Sequence, residues 1–488
     1  MSDVLFTHAY FLRFDSKQWE TMQPYPPLGT LYAASYVRQS GYDIALFDSM
    51  LADGPALFEE ALRQHRPTFV VIFEDNFNYL SKMCLTRMRE AAFYMIALAK
   101  RMGCTVIVSG SDATDHKASY LAQGVDYILV GEGEYTLREL LDSLSGRSKT
   151  AIEDIAGLSM LHEDTIRETD RRVFLKQLDE LPPPARDLVD ISMYETAWRS
   201  RHGYFSMNMV TTRGCPFKCN WCAKPIYGNR YNSHSPEYVA QDLKRLKETY
   251  HPDHIWFADD IFGLKPDWVE AFSQRVDALQ CKTPFKIQAR VDLLDEPVVA
   301  ALKRAGCDMV WVGAESGAQK ILDAMDKGTT VEQIHEVAER LHRHGIKVGF
   351  FLQFGYPGET KEDIDKTIRM IHDCRPDDIG ISVSYPLPGT KFYDRVSQEL
   401  GEKVNWADSN DLALMFQGTF SSDYYRLLHR VVHGKFRTRR GLDTLMELAT
   451  HPIRINRPRL RTMATAVTGA ATALVGAQRL RRMEHKNG

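Results

Sequence analysis

Over the first 150 residues, short runs of β-branched and aromatic residues alternate with longer stretches whose apolar positions recur every three or four residues. The runs 4–8, 43–48, 69–74, 105–109 and 127–130 predict strands, and stretches such as 28–40 and 80–102 predict helices between them. This alternation indicates a parallel sheet with helices on both faces, whose ligands bind beyond the carboxyl ends of the strands. Turn-forming residues stand at two of those ends, Gly110-Ser111-Asp112 and Gly131-Glu132-Gly133-Glu134. The stretch LDELPPPARDL at 178–188 follows, and its three successive prolines stop helix and central strand alike, so a linker is expected there. A second alternation begins near residue 207, with strands expected at 207–212, 254–258, 285–290, 309–313, 347–354 and 378–385 and helices such as 236–250, 296–305 and 331–344. Six βα units suit a partial or full barrel with its active site at the carboxyl ends of the strands. After about residue 388 the pattern turns helical and basic. The expected partition is a doubly wound domain at 1–150, a linker region at 151–202, a barrel at 203–400 and a helical basic region at 401–488.

Length supports that partition, because 488 residues exceed what one hydrophobic core organises. Apolar residues at 44% and charged residues at 26% are those of an ordinary globular chain. The net charge of −3 hides an asymmetry: residues 426–488 hold fourteen Lys/Arg against three Asp/Glu, a local +11 on a body of −14. Such a tail is either a solvated helix or a surface for an anionic partner, membrane or nucleic acid. Residues 463–477, rich in Ala, Thr, Val and Gly and flanked by Arg459, Arg461, Arg479, Arg481 and Arg482, are too few and too polar to span a bilayer; they read as a terminal helix or one lying on a membrane surface. The opening MSDVLFTHAYFLRFD lacks the basic start and apolar run of a secretory signal, and eight cysteines in such a chain point to a reducing, cytoplasmic setting. Cys84, Cys104, Cys281, Cys307 and Cys374 are scattered among apolar neighbours and read as core residues.

The other three stand together in TTRGCPFKCNWC, directly after the first barrel strand. Cys215, Cys219 and Cys222 form a Cys-x3-Cys-x2-Cys array, and Gly214 and Pro216 let the loop turn tightly. Three thiolates in one loop can ligate three irons of a cubane cluster and leave the fourth iron open to a substrate. A structural zinc site with His202 or His234 as fourth ligand is the alternative, but zinc sites usually recur as two separated Cys-x2-Cys halves and no second half follows. The ends of the later barrel strands are polar: Asp259-Asp260, Arg290, Glu315-Ser316 and the turn FGYPGE. Each acidic residue alone would suit a helix start. Their recurrence at successive strand ends argues for a site; Tyr227, Tyr231, Tyr385 and Phe392 read equally as lining of its cavity or as packing.

The cysteine motif and its placement resemble the radical S-adenosylmethionine (SAM) superfamily over about 207–392. The resemblance implies a four-iron four-sulfur cluster on Cys215, Cys219 and Cys222 whose open iron chelates the amino and carboxylate groups of SAM, with one-electron cleavage to a 5′-deoxyadenosyl radical. By position, Trp221 would pack near the adenine, and Asp259 and Asp260 would meet the amino group or ribose. Glu315 and Ser316 would contact ribose and carboxylate, Gly355 and Gly358 in FGYPGE would lie against the adenine, and Arg290 would take a carboxylate. The preceding domain, through PPLGTLYAASYVRQSGYDIALFD, VSGSDATDH, VDYILVGEGE and LDELPPPARDL, is similar to the cobalamin-binding subgroup. The implied fold is α/β: an N-terminal Rossmann-like cobalamin-binding domain, a partial (β/α)6 radical SAM barrel of the TIM type, and a basic helical C-terminal region. Ser109, Gly110, Ser111, Gly131, Glu132 and Gly133 would then border the cofactor's nucleotide tail, and with no Asp-x-His-x-x-Gly the cobalamin would be base-off without a histidine ligand.

The expected activity is methylation of an unactivated carbon. The alternative is oxidative cyclisation or rearrangement, as in the resembling anaerobic magnesium-protoporphyrin monomethyl ester cyclase and hopanoid-modifying enzymes. Expected partners are a small-molecule or lipid substrate, a flavodoxin- or ferredoxin-type electron donor and, through the tail, a membrane surface. A tRNA methylthiotransferase would need further cluster cysteines near the N-terminus and an RNA-binding β-barrel after residue 400; neither is legible, so no nucleic acid is expected.

Overall fold

The computed structural model describes residues 2–224, 226–450 and 457–487. The first sheet contains β1 Val4–Thr7, β2 Ile44–Phe47, β3 Phe69–Phe73, β4 Thr105–Ser109, β5 Tyr127–Leu129, β6 Leu158–His162 and β7 Thr165–Glu168. They lie in the order β2-β1-β3-β4-β5-β6-β7, the first five parallel and the last two joined antiparallel. Strands β1 and β3 are buried along their whole length, as expected of parallel strands covered by helices on both faces. The chain reverses direction across the sheet between β1 and β3, the place where doubly wound sheets open a crevice.

One expectation for this part is corrected, and the 151–202 region gains defined elements. The 80–102 helix is interrupted: Tyr79–Lys82 and Thr86–Arg101 are separate helices, because Cys84 takes a left-handed backbone at φ +54° that ends the first. The 151–202 region is structured. It adds the β6–β7 hairpin to the sheet and ends in helix Ile191–His202, while Arg186 of the proline stretch is buried against Asp242 and the Asn208 carbonyl.

The second sheet is formed by β8 Ser206–Met209, β11 His254–Phe257, β12 Phe285–Ala289, β13 Cys307–Glu315, β14 Lys347–Phe354 and β15 Asp378–Val383. All pairs are parallel in the order β15-β14-β13-β12-β11-β8, and β15 does not pair with β8, so the barrel is partial and open on one side. A short antiparallel pair, β9 Thr212–Arg213 with β10 Asn232–Ser233, stands above β8. One continuous apolar core runs from Leu5, Val70 and Ile96 of the first part to Ile255, Val310 and Phe350 of the second, so the two sheets are packed as one body.

After β15 the chain forms the short helices Lys391–Val396 and Ser397–Glu399, as the pattern implies, but the stretch that follows is not helical. Residues 401–421 form an irregular strap laid against the first domain: Thr86 N–H donates to the Trp406 carbonyl at 2.9 Å, Arg87 pairs with Asp408 at 2.7 Å, and Ser409 is held by Asp15. Helices Ser422–Thr450 and Arg457–Asn487 then form an antiparallel hairpin. Stretch 463–477 supplies its small-residue contact, with Gly469 so close to Gly434 that a Cβ on Gly434 would lie 2.8 Å from the Gly469 carbonyl. Among the described residues no helix is long and apolar enough to cross a membrane.

Candidate functional site

A cavity of about 580 Å³ lies where the carboxyl edge of the first sheet faces the barrel mouth. Alternation along each barrel strand sets its lining, since residues two apart share a face. On β11 and its exit these are Trp256, Ala258 and Asp260; on β12, Lys286, Gln288 and Arg290; on β13, Trp311, Gly313 and Glu315. Charged groups therefore ring the mouth, amides follow, and aromatic rings form the floor. The first domain closes the open side with Tyr25, whose hydroxyl is 3.1 Å from Ser206 Oγ, and covers the mouth with Tyr79 and Lys82. Tyr79 keeps 54% of its surface accessible although protein surrounds it, because that surface faces the cavity.

The cysteine loop is built from its base. Pairing of β9 with β10 closes it, and Gly214, at φ +79°, is required there because a Cβ would meet the Arg230 carbonyl at 2.5 Å. Asp259 anchors the incoming strand, accepting from the N–H groups of Thr211 and Thr212, both at 2.7 Å, and from both hydroxyls. Burial outweighs those four donors and pushes its carboxyl up to about 7. Asn220, between the second and third cysteines, pins the tip: its amide donates to the Ala324 carbonyl at 2.8 Å, its side-chain oxygen accepts from Tyr356 at 2.8 Å, and its backbone bonds Met325 and Phe392.

Cys215, Cys219 and Cys222 are half-buried and line the cavity together, whereas the other five cysteines are buried elsewhere. Burial raises the thiols of Cys215 and Cys222, the latter to about 12, so stable thiolates there call for a bound cation. Among the described residues no three His, Cys, Asp or Glu side chains converge on a metal position, so the fit to a cluster rests on the donor set: three thiols in one loop on one cavity wall. The candidate zinc ligands are committed elsewhere. His234 bonds Asp179 at 2.9 Å and stacks on Tyr238, and His202 bonds the carbonyls of Thr21 and Met22.

Of the residues expected near SAM, Trp221, Asp260, Arg290 and Glu315 line the cavity. The indole N–H of Trp221 is buried without a partner. Arg290 lies over the Phe217 ring at 3.7 Å, pairs bidentately with Asp292 and reaches Cys219 Sγ at 3.7 Å. Asp260 pairs with Lys82. Glu315 sits at a register shift in β13 with φ +57°, a bulge that re-aims its carboxylate onto Lys327 at 2.8 Å. The others lie off the cavity. Asp259 is the loop anchor, and Ser316 faces Thr367 at 3.2 Å. In the FGYPGE turn, Glu359 folds back onto the Gly355 N–H at 2.7 Å, the space beside Gly355 is bordered by Leu414 and Tyr425, and Gly358 is exposed, so the turn lies off the cavity. Tyr227, Tyr231, Tyr385 and Phe392 do not line the cavity either. Tyr227 stacks on Phe77, Phe392 on Tyr356, and the Tyr385 hydroxyl is spent on the Met83 carbonyl.

At the edge of the first sheet the expected cofactor residues divide. Ser109 and Ser111 are buried with hydroxyls that lack partners, as are Glu74 Oε2, Asn76 Oδ1 and Ser81 Oγ. These five orphaned polar atoms, four at the ends of β3 and β4 and one in the helix Tyr79–Lys82, lie outside the cavity lining beside Asp75, Phe77 and Asn78, which line it. They fit a polar ligand such as the amide-rich cobalamin, because buried polar groups are almost always paired. Burial also pushes Glu74 up to about 7. Gly110 is pressed against Glu74, where a Cβ would come within 2.8 Å of its side chain. Gly133 packs on the Phe73 ring, and Gly131 lies near the Ile226 carbonyl, so these two serve packing. Glu132 pairs with Arg213 at 3.2 Å, and Arg213 also holds Glu134 at 2.6 Å, an ion triad buried between the first domain and the cysteine loop. Sequence reasoning missed Asn220, Lys327, Tyr79 and Lys286. Asn220 lies inside the cysteine motif; the other three carry no local signal, because their roles follow from strand phase and domain docking.

Comparison with known proteins gives the same division. The profile of the Radical SAM superfamily matches residues 209–371, and that of the B12 binding domain matches residues 20–141. An uncharacterized methyltransferase of Pyrococcus horikoshii is 28% identical, covering 78% of this chain and 81% of its own. The anaerobic magnesium-protoporphyrin IX monomethyl ester cyclase of Rubrivivax gelatinosus is 25% identical over 83% of this chain and 71% of its own. The hopanoid C-3 methylase of Methylococcus capsulatus is 27% identical over 77% and 69%. Among solved structures, the radical SAM methyltransferase TsrM from Kitasatospora setae, with cobalamin and a [4Fe-4S] cluster bound, shares the fold with a TM-score of 0.66 at 18% identity, covering 82% of this chain and 75% of its own.

Proposed function

The chain belongs to the cobalamin-binding radical SAM superfamily, and on that premise we propose that it methylates an unactivated carbon of a small organic or lipid molecule held between its two sheets. One observation carries the reading: the three clustered thiols and the carboxyl edge of the first sheet border a single cavity of about 580 Å³. Cys215, Cys219 and Cys222 hold the iron–sulfur cluster; Trp221, Asp260, Arg290 and Glu315 hold SAM; the carboxyl edge of the first sheet, where Asp75, Phe77 and Asn78 line the cavity and the orphaned polar groups of Glu74, Asn76, Ser109 and Ser111 lie outside its lining, receives cobalamin. When bound, these groups supply hydrogen abstraction and a methyl donor, which carbon without an acidic proton requires.

The chain's own side chains bind, orient and shield. Arg290, fixed by Asp292 and the Phe217 ring, presents a guanidinium beside Cys219 and favours a carboxylate there. The Lys327–Glu315 pair, both buried, fixes the carboxylate at the β13 bulge. Tyr79 and the Lys82–Asp260 pair cover the mouth and limit water entry. Electrons would come from an external flavodoxin- or ferredoxin-type donor.

Similarity to the ester cyclase over 83% of this chain supports a second reading, oxidative cyclisation without methyl transfer. Anaerobic turnover separates the two. Reductant and SAM should yield 5′-deoxyadenosine together with S-adenosylhomocysteine if methylation is the reaction. Deoxyadenosine without S-adenosylhomocysteine favours cyclisation or rearrangement, and formation of neither contradicts both.

A further inference from the structure

The floor of the cavity is chemically unlike its mouth. Lys286 lies four residues before Arg290 on the same face of β12, about 13 Å deeper at roughly 3.3 Å per residue. In strand register it stands opposite Trp256. Its ammonium lies 5.4 Å from the Trp256 ring centre and 5.7 Å from that of Tyr25. Trp311 and Phe351, stacked at 4.7 Å, form the neighbouring wall. Two glycines make room for them: a Cβ on Gly349 would strike Trp311 at 2.5 Å, and one on Gly380 would press on Phe351 and Trp311. Phe351 keeps 36% of its surface accessible, and that surface faces the cavity.

Among the described residues nothing accepts a hydrogen bond from the Lys286 ammonium, and no carboxylate lies within ion-pair distance of it. Its nearest opposite charges, Asp378 and Asp308, act only from a distance, and Asp308 is engaged by His254 at 3.3 Å. A charge enclosed this deeply normally has a counter-ion. The aromatic rings stabilise an ammonium but do not neutralise it.

We propose that Lys286 anchors the carboxylate of the substrate, and that the substrate is an amphipathic organic acid whose flat apolar body lies against Trp256, Trp311 and Phe351. This rests on the reading of the cavity as the substrate chamber and adds the chemical class. With the acid group held at the floor, the apolar body extends toward Gln288 and Gln353 and presents a carbon to the cysteine loop at the mouth.

The test uses the full chain with its cluster reconstituted and two probes of one shape, 2-naphthylacetate and its neutral amide, read by quenching of tryptophan fluorescence. A charge-assisted contact in an enclosed site predicts about tenfold or greater preference for the acid. Lys286→Arg should keep the preference and Lys286→Met should lose it. A measurement on the unmodified chain guards against a folding defect. Burial lowers the Lys286 pKa to about 8, so the preference should fall as pH rises through that value. The acid stays charged throughout, while burial raises the Asp378 carboxyl, the His254 hydrogen bond works against burial to hold Asp308 low, and burial lowers His254. Equal binding of acid and amide, no binding of either, or a preference that survives both Lys286→Met and high pH overturns the proposal. Cluster content and substrate-free SAM cleavage, measured on the same preparations, report on the radical SAM reading alone: both should persist in Lys286→Met.

Discussion

Asn220 does more for the cysteine loop than any residue that flanks it, because its side chain and backbone tie the loop to the Ala324–Met325 turn, Tyr356 and Phe392. Replacing it by alanine removes both side-chain ties of the loop and leaves the Tyr356 hydroxyl and the Ala324 carbonyl bonded only to each other at 2.9 Å. Asn220→Ala should therefore cost about 1 kcal/mol in denaturant unfolding and lower the iron bound after reconstitution. Unchanged iron content and stability would contradict that role. A second residue-scale prediction concerns pH. Burial raises the Glu359 carboxyl from 4.5 to about 8, so the folded state binds this proton more tightly than the unfolded chain. Its contribution to stability is full below pH 4.5 and is lost as pH rises toward 8, and Glu359→Gln should flatten that slope in thermal melts across the interval. That three cysteines share one loop was legible at this scale, since spacing within a loop is a local property. The roles of Glu359 and Lys286 were not: one depends on a turn folding back on itself, the other on which face of a strand meets the cavity.

Elements explain how a chamber can exist inside a packed sheet. Glycines at 313, 349 and 380 leave space for the Lys327–Glu315 pair and for the Trp311 and Phe351 rings. Gly349→Ala should therefore displace Trp311, destabilise by about 1–3 kcal/mol and shift tryptophan emission. An unshifted spectrum with unchanged stability would show that the ring has room to spare. Strands were readable as short apolar runs; all six in the barrel lie where the pattern puts them, within three residues at each end. The β6–β7 hairpin was not, because β7 is exposed along its length and leaves no apolar alternation. The break at Cys84 was hidden for a different reason: a left-handed residue that is not glycine leaves no mark on periodicity.

At the scale of the whole molecule, the two sheets are held together by the continuous core, the 401–421 strap and the buried triad of Arg213, Glu132 and Glu134. Removing Arg213 leaves two buried carboxylates uncompensated, so Arg213→Ala should cost about 3–5 kcal/mol and expose the 178–188 segment to limited proteolysis. Domain order was legible in the two βα alternations. Docking was not, since the strap is irregular and its contacts join residues hundreds of positions apart. The account as a whole depends on a cluster with one iron open to SAM. Its most direct test is the electron paramagnetic resonance spectrum of the anaerobically reconstituted, reduced protein with and without SAM. The account predicts a reduced-cluster signal that changes when SAM is added and is absent from Cys219→Ala. A signal indifferent to SAM, or one kept in full by that variant, would contradict it.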